Sequence, residues 1–445
     1  MYCAPRVFSF ADVLFRSGRQ LKAETGVPAY GSRILDTRGT TDLFTTPLFV
    51  SGMFRSGTTL LGRMLNAHPQ IVLASDPFLP FFKTFRSQLA DPSTPDSNPD
   101  YPLSDYYFSP SGIALFRRIQ DSSLDLPFDG SGLDALRKRI RAYGEPYSPK
   151  LMPHLGEIAG ETYTEVFGSM LELIRRHEAK GGESVIGFKE VWADEFIPCM
   201  ARSVPTAKFI QIVRDPRAVC GSKNVRPPRY PWLFLARQWR KLTALAWKYR
   251  QPDGLLDNRV LCIRYEDLVT EPDRIAAMIC EFLEIEFASA MVDPGQYVDG
   301  SGQPWKQNTS YGEGKQQFDR SSVDKWRKAL SPQEIALIET ICGPEMSLLA
   351  YSPDVAERRF TPSLLLSPPR VADSDLAAWT LDVLSNDPLH TTVEMTKETL
   401  REQLLNAPKD ELESVSSEII EGGFLFSDLF RHLRYQHGAS QKISG

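Results

Sequence analysis

Short apolar runs recur along this chain, separated by stretches with helical spacing. The runs lie at 47–51, 71–74, 184–188, 208–213 and 260–264. Each is too short for a buried helix and long enough for a buried strand. Between them, apolar positions return every three or four residues, notably over 58–67, 162–178, 232–249 and 272–284. Strands alternating with helices predict an α/β fold, with an open, mainly parallel sheet flanked by helices. The stretch 91–110 carries Pro92, Pro95, Pro99, Pro102 and Pro110 among four aspartates and reads as a loop. Arg226–Trp232 (RPPRYPW) reads as a second one. Past Tyr351 the chain turns Ser-Pro-rich to about Arg370, and helix-like patterns follow at 392–406 and 409–421. These shifts divide the chain into an N-terminal segment (1–45), one large domain (46–352), and a Pro-rich linker with a helical C-terminal extension (353–445).

The first junction is the most informative. Residues 47–65 read PLFVSGMFRSGTTLLGRML. An apolar strand leads into Gly52, four residues, Gly57, then Thr58, Thr59 and a helical pattern. That is the layout of a phosphate-cradling loop at a helix N-terminus, a P-loop-like element. A triphosphate site places a Lys on the β/γ-phosphates. Thr58 stands where that Lys would be. The remaining backbone N–H groups, with Ser56 and the Arg55 fork, suit a 5′-phosphate without a γ-phosphoryl group.

A second junction has the same character. The run 208–213 leads into Arg214-Asp215-Pro216-Arg217, with Asp215 a helix cap and Pro216 its first residue. Ser222 falls about two turns into the expected helix. Arg214 and Ser222, eight apart, can reach one phosphate at the carboxyl edge of the sheet, where open α/β sheets bind ligands.

Composition narrows the class. Hydrophobic residues make up 42% of the 445 and charged residues 24%, ordinary for a globular protein. A net charge of −5 supplies no global basic field, so no nucleic-acid partner is expected. No stretch approaches the ~20 apolar residues of a membrane span. The N-terminus lacks the apolar core of a secretory signal; it is Arg-containing and poor in acids, which keeps an organelle transit peptide as the alternative to a cytoplasmic location. The six cysteines show no metal-type or paired spacing and read as reduced, mostly buried thiols.

Together, the Arg55-Ser56-Gly57-Thr58-Thr59 loop and the Arg214…Ser222 pair resemble the PAPS-dependent sulfotransferases. Arg264-Tyr265-Glu266-Asp267-Leu268 and the stretch SSVDKWRKAL at 321–330, preceded by Arg320, extend the resemblance over about 46–352. It implies 3′-phosphoadenosine 5′-phosphosulfate (PAPS) as co-substrate and no metal. The first loop would hold the 5′-phosphosulfate, and Arg214 with Ser222 the 3′-phosphate, aided by Arg320. Asn308-Thr309-Ser310 resembles a family stretch near the sulfate, with Ser310 as hydrogen-bond donor; the same triplet fits a glycosylation acceptor, discounted without a secretory signal. Lys189 matches a strand-end Lys that neutralises the leaving phosphate. One branch of the family has a His two residues further on, and this chain has Val191. The base expected instead is Asp76, twenty-one residues after Arg55 and at the offset of a catalytic Glu in the tyrosyl-protein branch, with Glu190 as competitor. Trp192, Trp305 and Trp326 offer stacking surface or core packing. The 91–110 loop is either a mobile cover over the acceptor site or, the commoner case, a plain surface connection.

The expected reaction moves a sulfuryl group to a hydroxyl or amine of a small-molecule metabolite. Carbohydrate and peptide-tyrosine acceptors are the alternatives. From other classes, a P-loop kinase or hydrolase would need the Lys missing at 58, and an inactive PAPS-binding protein would bind without turnover.

Overall fold

The structure is a computed structural model that describes residues 45–222, 230–252, 254–306, 318–354, 380, 381, 383, 384 and 387–443. Five strands form one parallel sheet: β1 (Thr46–Gly52), β2 (Ile71–Ser75), β3 (Val185–Val191), β4 (Lys208–Val213) and β5 (Val260–Arg264). Their spatial order is β2-β3-β1-β4-β5. β3 runs three residues past the apolar run 184–188, because Lys189, Glu190 and Val191 pair with Val50, Ser51 and Gly52 of β1. A polar residue does not end a strand when neighbouring backbones continue to hydrogen-bond to it.

The helices that place the site are α1 (Thr58–Ala67), α2 (Leu79–Leu89), α3 (Leu133–Gly144), α4 (Tyr163–Glu178), α5 (Pro216–Cys220), α6 (Trp232–Lys248), α7 (Pro272–Leu283), α8 (Pro332–Met346) and α9 (Pro388–Asn406). Alternate strand residues face opposite sides, and here each side has its own core. Leu48, Val50, Leu73 and Ile212 pack with Leu61, Met64 and Leu65 of α1 and Ile275, Ile279 and Leu283 of α7. Phe49, Ile186, Phe188 and Phe209 pack on the other side with α2, α4 and α6. A sheet covered on both faces needs continuous apolar strands, which is why the runs read as unbroken rather than alternating.

Two expectations need correction. The 91–110 segment is not a free cover. Buried Arg86 donates to the carbonyls of Asn98 (2.8 Å), Tyr101 (3.1 Å) and Pro102 (2.8 Å). Gln238 and Lys241 of α6 hold the carbonyls of Leu103 and Ser104. The 409–421 pattern is not one helix: Ser416 is extended (φ −67°, ψ 152°) and separates Lys409–Leu412 from Ser417–Phe424. A final helix spans Ser427–Ile443.

The C-terminal helices pack onto the sheet core. Leu400, Leu404 and Leu405 of α9 and Phe424 belong to the same apolar cluster as Phe188. A buried ionic network accompanies them. Glu398 accepts from Arg237 Nε (2.7 Å) and Arg240 (2.7 Å), Glu394 from Arg237, and Glu345 from Arg401. Burial pushes the Glu398 carboxyl up, but Arg240 and Arg237 outweigh it and hold the group far below the usual carboxylate range.

Candidate active site

The site lies at the carboxyl ends of β1, β3, β2 and β4. The first three strands leave the sheet through left-handed non-glycine residues: Arg55 (φ 67°) after β1, Asp76 (φ 46°) after β2, and Trp192 (φ 70°) after β3. Each costs about 1–3 kcal/mol, and such residues cluster at functional sites.

The loop after β1 is shaped by close approach. Gly57 has φ 91°, and a Cβ there would meet the Tyr265 ring at 2.3 Å. Gly52 would meet the Ile212 carbonyl oxygen of β4 at 2.3 Å. Ser56 is wholly buried, and among the described residues its Oγ has no hydrogen-bond partner. Thr58 opens α1 and is buried; Thr59 follows in the first turn. α1 has no side-chain cap and no acidic residue in its first turn. Its N-terminal N–H groups and dipole therefore favour an anion.

Arg55 and Arg214 interlock. Arg55 Nε donates to Ser222 Oγ (2.9 Å), and Arg214 donates to the Arg55 carbonyl (2.9 Å) and the Ser322 carbonyl (2.9 Å). Arg214 lies 4.0 Å over the Tyr265 ring, and Tyr265 Oη bonds Ser322 Oγ (2.8 Å). Trp239 of α6 donates to the Arg214 carbonyl (2.7 Å). Asp215 caps α5 by accepting from Arg217 N (2.8 Å). That helix ends at Cys220, so Ser222 lies beyond it rather than two turns inside it. Ser222 N still donates to Val219 O (3.2 Å), which turns its hydroxyl back toward Arg55. Arg320 is exposed, two residues before Ser322. Ser310 lies outside the described residues.

Lys189 and Asp76 meet in a buried ion pair beside the loop. The Asp76 amide donates to Lys189 O (2.7 Å), and Val191 N approaches Asp76 Oδ1 at 3.4 Å. Glu190, one residue on, faces the opposite side of the sheet. It is wholly buried, accepting from Phe78 N and from Tyr143 Oη (3.3 Å). Burial, reinforced by the Asp76 carboxylate, pushes its carboxyl well above the ordinary value. Below the pair, Asp194 accepts from Ser51 Oγ (2.7 Å) and Gln211 Nε2 (2.8 Å), and burial raises it to about 6.

Aromatic rings follow the ends of β1 and β3. Phe54 stacks on Trp192 (5.6 Å, 29°) and packs against Tyr230 (5.4 Å). Trp326 instead carries Arg217 (4.1 Å) and Arg327 (4.3 Å) on its faces, and Trp305 packs against Tyr297. Tyr265 and Ser322 had no assigned role in the sequence reading. Their signal was present, since both fall in the stretches that carried the resemblance, but Ser322 meets Arg214 across 108 positions and Tyr265 meets it from the end of another strand, so neither contact has a local trace. His154, Glu157 and His177 form a further group, with stacked imidazoles 3.6 Å apart. Spacing does not disclose it, because two separate elements bring it together. Arg176 shares the same partly exposed carboxylate, so it is an ion-pair cluster on the surface.

The chain matches the sulfotransferase family model over residues 47–289 and the sulfotransferase domain model over 237–350. The first match alone spans more than half of the chain: the protein belongs to the sulfotransferase family. No curated protein matches it in sequence. Among solved structures, it is similar to the sulfotransferase domain of the Synechococcus PCC 7002 olefin synthase (19% identity, 69% of this chain and 96% of that one, TM-score 0.39). The sulfotransferase domain of the curacin biosynthetic pathway gives 19%, 69%, 98% and 0.39, and a sulfotransferase from Alicyclobacillus acidocaldarius gives 16%, 68%, 94% and 0.33. Likenesses this distant carry no argument of their own.

Proposed function

We propose that this protein transfers a sulfuryl group from PAPS to the hydroxyl or amine of a small-molecule acceptor, and that residues 46–352 form the catalytic domain. The observation that carries this reading is the convergence of Arg55, Arg214 and Ser222 on a loop with a buried, unsatisfied Ser56 hydroxyl and Thr58 where a triphosphate site needs Lys. These groups fit an anionic donor: Ser56 to Thr59 and the start of α1 would hold its 5′ end, and Arg214 with Ser222 its 3′-phosphate, with Arg320 as a further donor-binding residue and Ser310 as the hydrogen-bond donor to the sulfate. When bound, PAPS supplies the sulfuryl group. Lys189 neutralises charge that develops on the leaving side, an effect realised in the transition state and therefore on turnover. Asp76 takes the acceptor proton. Glu190, buried and engaged by Phe78 and Tyr143, holds the end of β3 in place.

The aromatic stack of Phe54, Trp192 and Tyr230, where the chain leaves β1 and β3, supports a small, partly apolar acceptor over a charged polymer. Incubation with radiolabelled PAPS and a mixed acceptor library tests the reading. Label should pass to an acceptor with and without EDTA. Loss of activity in EDTA with rescue by Mg²⁺ would move the protein to the kinase class. Donor binding without any transfer would make it an inactive binding protein.

A further inference from the structure

A polar cavity of about 190 Å³ lies outside the donor loop, along the outer flank of the edge strand β2. No residue of 52–59, nor Arg214 or Ser222, lines it. Arg63 of α1, Ser75 of β2, Lys150, Glu178, Lys180 and Asp299 are among the residues that line it.

Arg63 is the anomaly. It is 8% exposed, on a helix whose buried Leu61, Met64 and Leu65 face an apolar core. Its Nε is buried with no hydrogen-bond partner, and among the described residues none forms an ion pair with its guanidinium. A buried charge is normally paired and hydrogen-bonded. The carboxylates of Asp299, Asp76 and Glu178 act on Arg63 only at longer range. Asp299 Oδ1 is already taken by Ser301 N (2.9 Å), Ser301 Oγ (2.6 Å) and Gln303 N (3.1 Å).

The rest of the lining mixes cations and carboxyls. Glu178 Oε1 is buried and unsatisfied, and burial raises that carboxyl above its ordinary value. Lys180 is spent on the carbonyls of Asn66, His68 and Ile71. Lys150 is exposed at the rim. A cavity of about 150 Å³ admits a benzene-sized molecule, so this one has room for more than a bare ion.

We propose that this cavity is a second ligand site, which takes a small organic anion of about phenyl size, its carboxylate or phosphate held by Arg63 with Lys150 at the rim. The site does not depend on the sulfuryl-transfer reading.

Titration calorimetry with benzoate, phenyl phosphate, acetate and inorganic phosphate tests it on the full chain, with wild type and Arg63→Met in parallel. Anion uptake by the donor loop is common to both proteins and cancels in the comparison. Wild type should bind benzoate or phenyl phosphate saturably, the better of the two identifying the anionic group. Arg63→Met should bind it at least tenfold more weakly, and Lys150→Met several-fold more weakly. Without ligand, Arg63→Met should melt no lower than wild type, because Met keeps the apolar stem and removes an unpaired charge; a purely structural Arg would lower the midpoint. Should Arg63→Met fail to fold, the exposed Lys150→Met carries the test. Equal binding by wild type and the variants, or no saturable binding of any of the four probes, would overturn the proposal.

Discussion

Replacing Asp76 by Asn while sparing Glu190 separates the two carboxyls of the site. Asp76 is paired with a Lys189 that is 1% exposed, so Asn leaves a buried ammonium without its counter-charge. Breaking one side of a buried pair costs about 3–5 kcal/mol of stability. The expected catalytic loss is about 10²–10⁴-fold in turnover, the usual worth of a positioned base. That loss corresponds to roughly 2.7–5.4 kcal/mol of barrier. The two effects are read separately: turnover at saturating PAPS reports the base, donor calorimetry the loop, and urea unfolding the ion pair. Donor affinity should stay near wild type, because Asp76 touches none of Arg55, Arg214 or Ser222.

Glu190→Gln is the contrast. Glutamine resembles the protonated acid, and its carbonyl can still accept from Phe78 N. Turnover should fall no more than about threefold, roughly 0.65 kcal/mol of barrier. Its pH behaviour is the internal control. The folded protein holds the Glu190 proton above the ordinary carboxyl range, so it binds more protons than the unfolded chain there. Stability from this group is present at low pH and declines as pH rises past the ordinary carboxyl value. Glu190→Gln should remove that decline. An inactive Glu190→Gln beside a near-normal Asp76→Asn would refute the assignment and pass the role of base to Glu190. Full activity in both would mean that the acceptor needs no protein base.

Two further outcomes follow from the same geometry. Arg214→Ala should weaken adenosine 3′,5′-bisphosphate binding by about 1.5–3 kcal/mol, the worth of a charged hydrogen bond; unchanged affinity by calorimetry would remove Arg214 from the donor site. Glu398→Gln should destabilise the fold by about 3–5 kcal/mol, since Arg237 and Arg240 would share a buried site with a neutral amide. Wild-type Glu398 lies far below the ordinary carboxylate range, so its contribution is fully present at neutral pH; the gap between wild-type and variant urea midpoints should hold from neutral pH down to the ordinary carboxyl value and narrow only as pH falls below it.

The five strands, the helix 58–67 and both phosphate-type junctions were legible because each is a local pattern. An apolar run that must be covered on both faces, a glycine that must turn, and a capping Asp before Pro216 depend on neighbours a few residues away. The spacing of Arg214 and Ser222 was legible too, although the helix assumed between them was not: five residues suffice for α5, and one further turn brings Ser222 back to Arg55. Tertiary contact alone decided the rest. Strand pairing carried β3 through Lys189 and so placed Glu190 on the opposite face, a consequence of two-residue alternation that cannot be read until the strand's end is known. Arg86 fastened a proline-rich segment that composition describes as a loop. The pairing of Asp76 with Lys189, the seat of Arg214 on Tyr265, and the unpaired Arg63 all join residues far apart in the chain. Sequence pattern specifies what each segment must bury; which charges meet at the buried ends is decided only when the segments are packed together.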